Sequence, residues 1–142
     1  MTSIREEAVR ALRTKIEGLD LFDLVDREPM PGRSDVRNTC SIAEGAETKQ
    51  PGTACWDCTL PVDLVIFWYR PREAELAAEL NDVLRQVVDA LLVDSTLGGA
   101  VIWVRERRNE MILDFEGDPV GQLVVTLELR YRHAEGSTEN VV

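Results

Sequence analysis

The strongest hydrophobic pattern in the chain lies between Thr59 and Gly99, and it predicts a strand followed by a long helix. Up to Tyr69, apolar residues alternate with a second set that is also mostly apolar, which predicts a pleated strand covered on both faces. Pro71 suits the first turn of the helix that follows. Apolar residues then recur at helical spacing as one stripe: Leu76, Leu80, Val83, Val87 and Leu91. Gly98 and Gly99 end the helix and let the chain turn.

A second amphipathic helix is predicted at the N-terminus, from Ser3 to Glu17. Ser3 and Glu6 form a capping box, in which the Ser3 hydroxyl accepts from the Glu6 N–H while Glu6 reaches back. Gly18 stops the helix. The apolar stripe of this helix repeats every four residues: Ile4, Ala8, Leu12 and Ile16.

The stretch between the two helical patterns is harder to assign, because Pro and Gly interrupt it repeatedly. Leu19, Leu21, Leu24 and Val25 fit either a short strand or an extended lead-in. Arg37 to Ala43 fits a second strand. Glu44 to Asp57 is polar and shows no periodicity, so it is interpreted as a long, exposed and mobile loop.

Beyond Gly99 the pattern predicts three strands. Ala100–Arg107 is the first, and a tight turn at Arg108 and Asn109 leads to the second, Met111–Phe115. Residues 117–119 form another turn. The third runs from Leu123 to Arg132, with one apolar face and one increasingly charged face, as in an antiparallel sheet with one solvated side.

Together these elements predict the α+β class, with a mixed, mainly antiparallel β-sheet and two main helices packed on one face. Residues 1–133 form a single domain with a long loop at about 44–57, and residues 134–142 form a flexible C-terminal tail.

The charge balance narrows the range of partners. The chain carries 26 acidic and 16 basic residues, a net charge of −10. Such a protein is repelled by nucleic acid and by anionic membranes, so neither is expected as a partner. The N-terminus does not resemble a secretory signal, and no stretch has the roughly 20 apolar residues that span a bilayer. Three cysteines, an odd number, indicate folding in a reducing cytoplasm.

Cys55 and Cys58 form the only short motif with a chemical interpretation. A C-x-x-C pair can shuttle electrons or supply half of a zinc site. Here it precedes a strand rather than opening a helix, and Cys40 and His133 stand at no recognised ligand spacing. Two incidental thiols and a surface histidine are the favoured interpretation. No catalytic, cofactor-binding or metal-ligating residue is therefore assigned, and no phosphate-binding loop or nucleophile elbow is present.

Grouped arginines in an acidic chain favour a contact between copies of the protein. Arg105, Arg107 and Arg108 cluster at the predicted hairpin, and Arg130 and Arg132 lie near the end of the last strand. They complement acidic residues on the long helix. The candidate subunit-interface residues are Arg105, Arg107, Arg108, Glu75, Glu79, Asp82 and Asp89. Trp68 and Trp103 are expected in the core.

From Ile4 to His133, the order of elements resembles the tail terminator, or tail completion, proteins of long-tailed bacteriophages (minor tail protein U-like proteins). The similar segments are the helix IREEAVRALRTKI, the strand LPVDLVIFWYRP, the helix end and turn DALLVDSTLGGAVIWV, and the last strand LVVTLELRYRH. The CWDC sequence and the length of the loop before it are not family features.

The resemblance implies a structural virion protein without enzymatic activity or cofactor. Family members form rings, usually hexamers, on the head-proximal end of the tail tube, where they end tube polymerisation and form the head–tail joining surface. The implied partners are further copies of the chain, the tail tube protein and the head–tail connector protein. Assembly would take place in the host cytoplasm. Genome DNA would pass through the ring without sequence-specific binding, and no membrane is involved.

Three other functions remain open at this point, one of which is a bacterial adaptor domain with no viral role. Another ring-forming neck or tail-tube component, of a phage or of a contractile injection machine, would show the same sequence features. A redox or metal-binding module built on Cys55 and Cys58 is the less favoured alternative.

Overall fold

A computed structural model of the chain describes residues 3–27, 38–52, 54–69, 73–114 and 120–134. These residues form two helices and six strands: α1 (Ile4–Glu17), β1 (Leu24–Asp26), β2 (Thr39–Glu44), β3 (Thr48–Pro51), β4 (Cys55–Tyr69), α2 (Glu73–Val93), β5 (Trp103–Asp114) and β6 (Val120–Ala134). None of the described helices has the length and apolar content needed to cross a bilayer.

All six strands belong to one sheet with the order β1-β2-β4-β6-β5, in which β3 pairs with the start of β4. The centre of the sheet is the antiparallel pair β4–β6, whose register runs from Cys55 opposite Ala134 to Tyr69 opposite Val120. The pair β1–β2 is parallel, and the other described pairs are antiparallel. The predicted α+β class and mainly antiparallel sheet are confirmed.

Both helices pack on one face of the sheet, because only one set of alternating side chains is fully apolar along β4 and β6. That set is buried together with the apolar stripes of α1 and α2. On the opposite face, Val65 and Phe67 remain half-exposed, and no described helix covers them. The expectation that the central strand is covered on both faces is therefore wrong within the described part of the chain.

The start of α1 is confirmed. The Ser3 hydroxyl accepts a hydrogen bond from the Glu6 N–H at 3.1 Å, and Gly18 follows the last helical residue. The Glu6 carboxylate binds the side chains of Arg10 and Arg27. Because Arg27 follows β1, this contact joins the helix N-terminus to the edge of the sheet.

The predicted loop from Glu44 to Asp57 is wrong. Residues 48–51 form β3, which pairs antiparallel with β4 from Thr48 opposite Thr59 to Pro51 opposite Trp56. Accordingly, β4 begins at Cys55. All four side chains of β3 are exposed, so the strand has no alternation of apolar residues. It forms because the edge of β4 supplies backbone hydrogen-bond partners, which a local pattern does not reveal.

The predicted turn at Arg108 and Asn109 is also wrong. β5 is one continuous strand that pairs with β6 from Trp103 to Asp114, with a β-bulge between Glu106 and Arg108. The bulge accommodates Arg107 as an extra residue. The charged run Arg105–Glu110 carries no apolar alternation, which made one bulged strand look like two strands and a turn.

Other expectations are confirmed, extended or untested. The short strand after α1 forms as β1, and β2 replaces the strand expected from Arg37 to Ala43. The last strand is longer than expected and includes Ala134. The turn at 117–119, the start of the long helix at residues 70–72 and the tail at 135–142 lie outside the described residues.

An ion network holds the N-terminal end of α1 against the sheet. Glu44 at the end of β2 accepts hydrogen bonds from Arg5 and Arg27. Burial disfavours the charged form of Glu44, but these two arginines outweigh it, so the net pKa of the carboxyl lies below its usual value. Glu47 continues the network, because it accepts from the Tyr131 hydroxyl and lies 3.8 Å from Arg5.

We expect Gly121→Ala to lower the free energy of unfolding by about 1–3 kcal/mol. A Cβ atom at Gly121 would lie 2.4 Å from Leu80 Cδ1 and 3.2 Å from Leu76 Cγ, so these leucine side chains or α2 itself would have to shift. Urea denaturation measures the effect. Gly18→Ala is the matched control, since its Cβ would meet only ordinary contacts of 3.4 and 3.5 Å. Equal stability of the two variants would contradict the close packing of α2 on β6.

We expect Glu44→Gln to destabilise the protein by about 1–3 kcal/mol near neutral pH, because both arginines lose a charged acceptor. A carboxyl whose folded pKa is depressed stabilises the protein above its unfolded pKa, here 4.5, and the contribution disappears as pH falls through the folded pKa. The difference from the unchanged protein should therefore shrink in acid. Glu17→Gln is the control: its exposed pair with Arg13 should contribute less than about 0.5 kcal/mol.

Candidate subunit interface

The arginines predicted to form an interface lie on the helix-free face of the sheet and not at a hairpin. Arg105 pairs with Glu128 and Arg108 with Thr126, positions that alternate with the buried side chains of β6. Arg107, in the bulge, places its Nε 3.6 Å from a Glu128 oxygen. Arg130 and Arg132 lie on the same face of β6. The structure thus brings five arginines together: Arg105, Arg107, Arg108, Arg130 and Arg132.

The accessible surface of this arginine cluster is basic although carboxylates lie within it. Asp57 is 3.5 Å from Arg130 and 2.5 Å from Arg132. The hydrogen bond from Arg132 lowers the pKa of Asp57 below its usual value, so its charge is kept. The side chain of Asp57 is only 20% exposed, against 46% for Arg132. Glu128 is likewise less exposed than Arg107, 26% against 61%. In both pairs the guanidinium groups therefore form the outer layer, while Glu110, exposed on the same face, adds one carboxylate beside Arg108.

Trp103 lies at the edge of the arginine cluster. It is half-exposed on the helix-free face, opposite Arg130, so the expectation that it belongs to the core is wrong. The Arg105 guanidinium carbon lies over the Trp103 ring, 4.1 Å from its centre, which is a cation–π contact. Trp68, in contrast, is buried as expected, and Phe22 meets it edge-on at 6.0 Å.

The acidic residues predicted to form the complementary surface lie mostly on the outer side of α2. Asp82 and Asp89 are exposed and flank Arg85, which is 2.6 Å from Asp82 and 3.4 Å from Asp89. The hydrogen bond from Arg85 lowers the pKa of Asp82. Glu75 is exposed as well, whereas Glu79 is half-buried and contributes little to the outer surface.

The two charged surfaces point in opposite directions. The buried stripe of α2 faces the sheet, and with about 100° between successive residues Asp82 and Asp89 fall on the side away from it. The arginine cluster lies beyond the sheet, on the helix-free face. Within one molecule the two surfaces therefore cannot meet, and the structure does not bring together the predicted residues of a single chain.

An apolar surface at the end of α2 was missed in the sequence. Leu92 and Val93 are 73% and 86% exposed, and Ile102 nearby is 39% exposed. Leu92 also borders a groove of about 440 Å³ between α2 and the start of β5. The sequence contained a sign of this surface, because Leu92 and Val93 are apolar but fall outside the helical stripe that ends at Leu91.

The two cysteines of the C-x-x-C motif do not form a site in this structure. Both lie in β4, where residues three apart point to opposite faces, so their sulfur atoms cannot share a disulfide or a metal ion. Burial raises the pKa of the Cys58 thiol, and it raises that of Cys40 to about 12. Among the described residues no three His, Cys, Asp or Glu side chains are grouped to hold a metal ion.

His133 is buried rather than on the surface, which corrects the expectation from the sequence. It is 5% exposed and faces the helices from the end of β6. A cavity of about 250 Å³ beside it is lined by Ser3, Ile4, Arg5, Glu47, Lys49 and Tyr131. The lysine and the arginine that line this cavity are paired with Glu47, which lies 3.8 Å from Arg5 and 3.6 Å from Lys49.

Neither a protein-family model nor a curated protein matches this chain. The resemblance to tail terminators therefore depends on the order of elements and on the short segments that carry it.

We expect no more than one thiol of the folded protein to react rapidly with a thiol reagent, and all three to react after unfolding in denaturant. Cys40 and Cys58 are 1% and 0% exposed, and the raised pKa of each keeps the unreactive thiol form. Absorbance of the released chromophore counts the reacting thiols. Two rapidly reacting thiols, or an oxidised form lacking two thiols without unfolding, would restore the redox alternative.

Proposed function

We propose that this protein is a structural virion component that closes the head-proximal end of a phage tail tube as a ring of identical subunits. The observation that supports this most strongly is the separation of charge: an arginine cluster on the helix-free face and an acidic surface on the outer side of α2. A chain with complementary surfaces on opposite sides can bind the next copy head to tail. Such contacts repeat, and they form a closed ring when the rotation between neighbours closes.

The fold is compatible with this role. Tail terminators, which the sequence resembles, are small α+β proteins, and this chain forms an α+β domain with a mainly antiparallel sheet. The arginine cluster lies on a rigid sheet and the acidic residues on a 21-residue helix, so both surfaces are held in place before assembly. Preorganised surfaces bind with a smaller entropy cost, which favours a ring of defined geometry.

In this proposal the protein works through its contacts and carries out no chemical step. The ring binds the last ring of tail tube protein, stops further tube growth and presents its other side to the head–tail connector. We expect six copies in the ring, because members of the family that the sequence resembles usually form hexamers. Genome DNA passes through the ring during infection, and the protein resides in the virion after assembly in the host cytoplasm.

The experiment is to add the purified protein to uncapped tail tubes and to image them by negative-stain electron microscopy. We expect extra density at one end of each tube, and we expect capped tubes not to lengthen when fresh tube protein is added. The ring contacts repeat on every subunit, so binding should be all-or-none for each tube end.

The same experiment distinguishes a tail terminator from another neck or tail-tube component. Binding to the neck of isolated heads, with none to tube ends, would replace the tail terminator with another neck component. Lengthening of tubes by the protein itself would identify it as a tube subunit. Absence of binding to tubes and to heads alike would contradict any role at this junction.

A further inference from the structure

We propose that the contact between neighbouring copies joins the arginine cluster and Trp103 of one copy to the C-terminal half of α2 in the next. This inference rests on the ring in the proposed function and not on the tail tube. It specifies the occupant of the helix-free face as a second copy of this chain, seated through Asp89, Leu92 and Val93.

The C-terminal end of α2 lies at the same height along the strands as the start of β5. α2 leads through a short turn into β5, and the Val104 N–H donates to the Ser95 carbonyl at 2.8 Å, so the end of α2 is adjacent to the start of β5. Leu91 and Leu92 share a groove with Val104 and Arg105. A rotation axis parallel to the strands keeps each height unchanged. Such an axis brings the end of α2 in one copy to the level of Trp103 and Arg130 in its neighbour.

Charge and apolar surface both match at this level. Asp89 would face the outer guanidinium layer, which includes the exposed Arg107 and Arg132. Leu92 and Val93 would lie against the half-exposed Trp103 ring and the stems of the arginines, which removes apolar surface from water. Rim charges set register and the rate of association, while burial of Leu92 supplies affinity.

A second copy fits the helix-free face better than an unrelated acidic ligand does. The protein supplies the complementary surface itself, and the two surfaces are on opposite sides, so every bound copy leaves one of each free for the next. The exposed apolar pair next to Asp89 also needs an apolar partner, which a nucleic-acid backbone does not provide.

The test uses two introduced cysteines, Asp89→Cys together with Arg130→Cys, in a full chain whose least buried native thiol is removed by Cys55→Ser. The positions are on opposite sides of the domain, so a disulfide between them must join two molecules. Under mild oxidation we expect a ladder of covalent oligomers that ends at the closed ring, seen on a non-reducing gel. Each single variant should give dimers at most. Circular dichroism of every variant confirms that the fold is kept.

Charge exchange provides the second measurement, by analytical ultracentrifugation. Arg107→Glu with Arg132→Glu should weaken self-association roughly 100-fold, and Asp89→Arg should weaken it as well, because like charges then face each other. A mixture of the two variants should associate again, since each offers the surface that the other needs. Gln122→Glu, on the same face but distant from the arginine cluster, is the control and should leave association unchanged.

Several results would overturn the inference: no ladder from the double-cysteine variant, no recovery in the mixture, or binding of DNA to the arginine cluster in competition with self-association. The outcomes also separate the inference from the proposed function. A ladder from a protein that binds neither tubes nor heads would keep the interface and reject the virion role. Tube capping that survives both charge reversals would keep the role and reject the interface.

Discussion

The pairing of β4 with β6 over fifteen residues is the interaction on which the rest of the structure depends. Its register places the two fully apolar sets of side chains, one from each strand, on the same face. A slip of one residue would move one set to the other face and remove the surface on which both helices pack. Both edges of this pair are then extended, by β2 and β3 along β4 and by β5 along β6.

Because the two helices cover only one face, the fold has two unlike sides. The helical side is acidic where Asp82 and Asp89 face water. The sheet side carries guanidinium groups that lie above partly buried carboxylates such as Asp57. A small domain with a second helix layer would bury these arginines and lose one of the two surfaces that are proposed to bind neighbouring copies. The one-sided packing is thus what makes repeated contacts between copies geometrically possible.

That the arginines and the acidic residues of α2 form an interface stays a prediction. The structure shows that they lie on two surfaces, apart from the half-buried Glu79. The sequence did not predict where the arginines lie. Arg105 and Arg108 were assigned to a hairpin, whereas both lie on one face of β5. Arg130 and Arg132 join the same cluster because β5 pairs with β6. That pairing joins residues that are distant in the sequence, such as Trp103 and Arg130, so a local pattern does not contain it.

The sequence alone determined the elements whose apolar residues repeat with a regular period. α1 with its Ser3 cap, the buried stripe of α2 and the alternation in β6 were all visible, since each has an apolar face that must be buried. Only the tertiary structure decided the elements without such a face. β3 is entirely exposed and β5 contains a charged, bulged segment, so both are strands because a neighbouring strand satisfies their backbone hydrogen bonds. The tertiary structure likewise decided that Cys55 and Cys58 point to opposite faces, because strand pairing extends β4 back to Cys55.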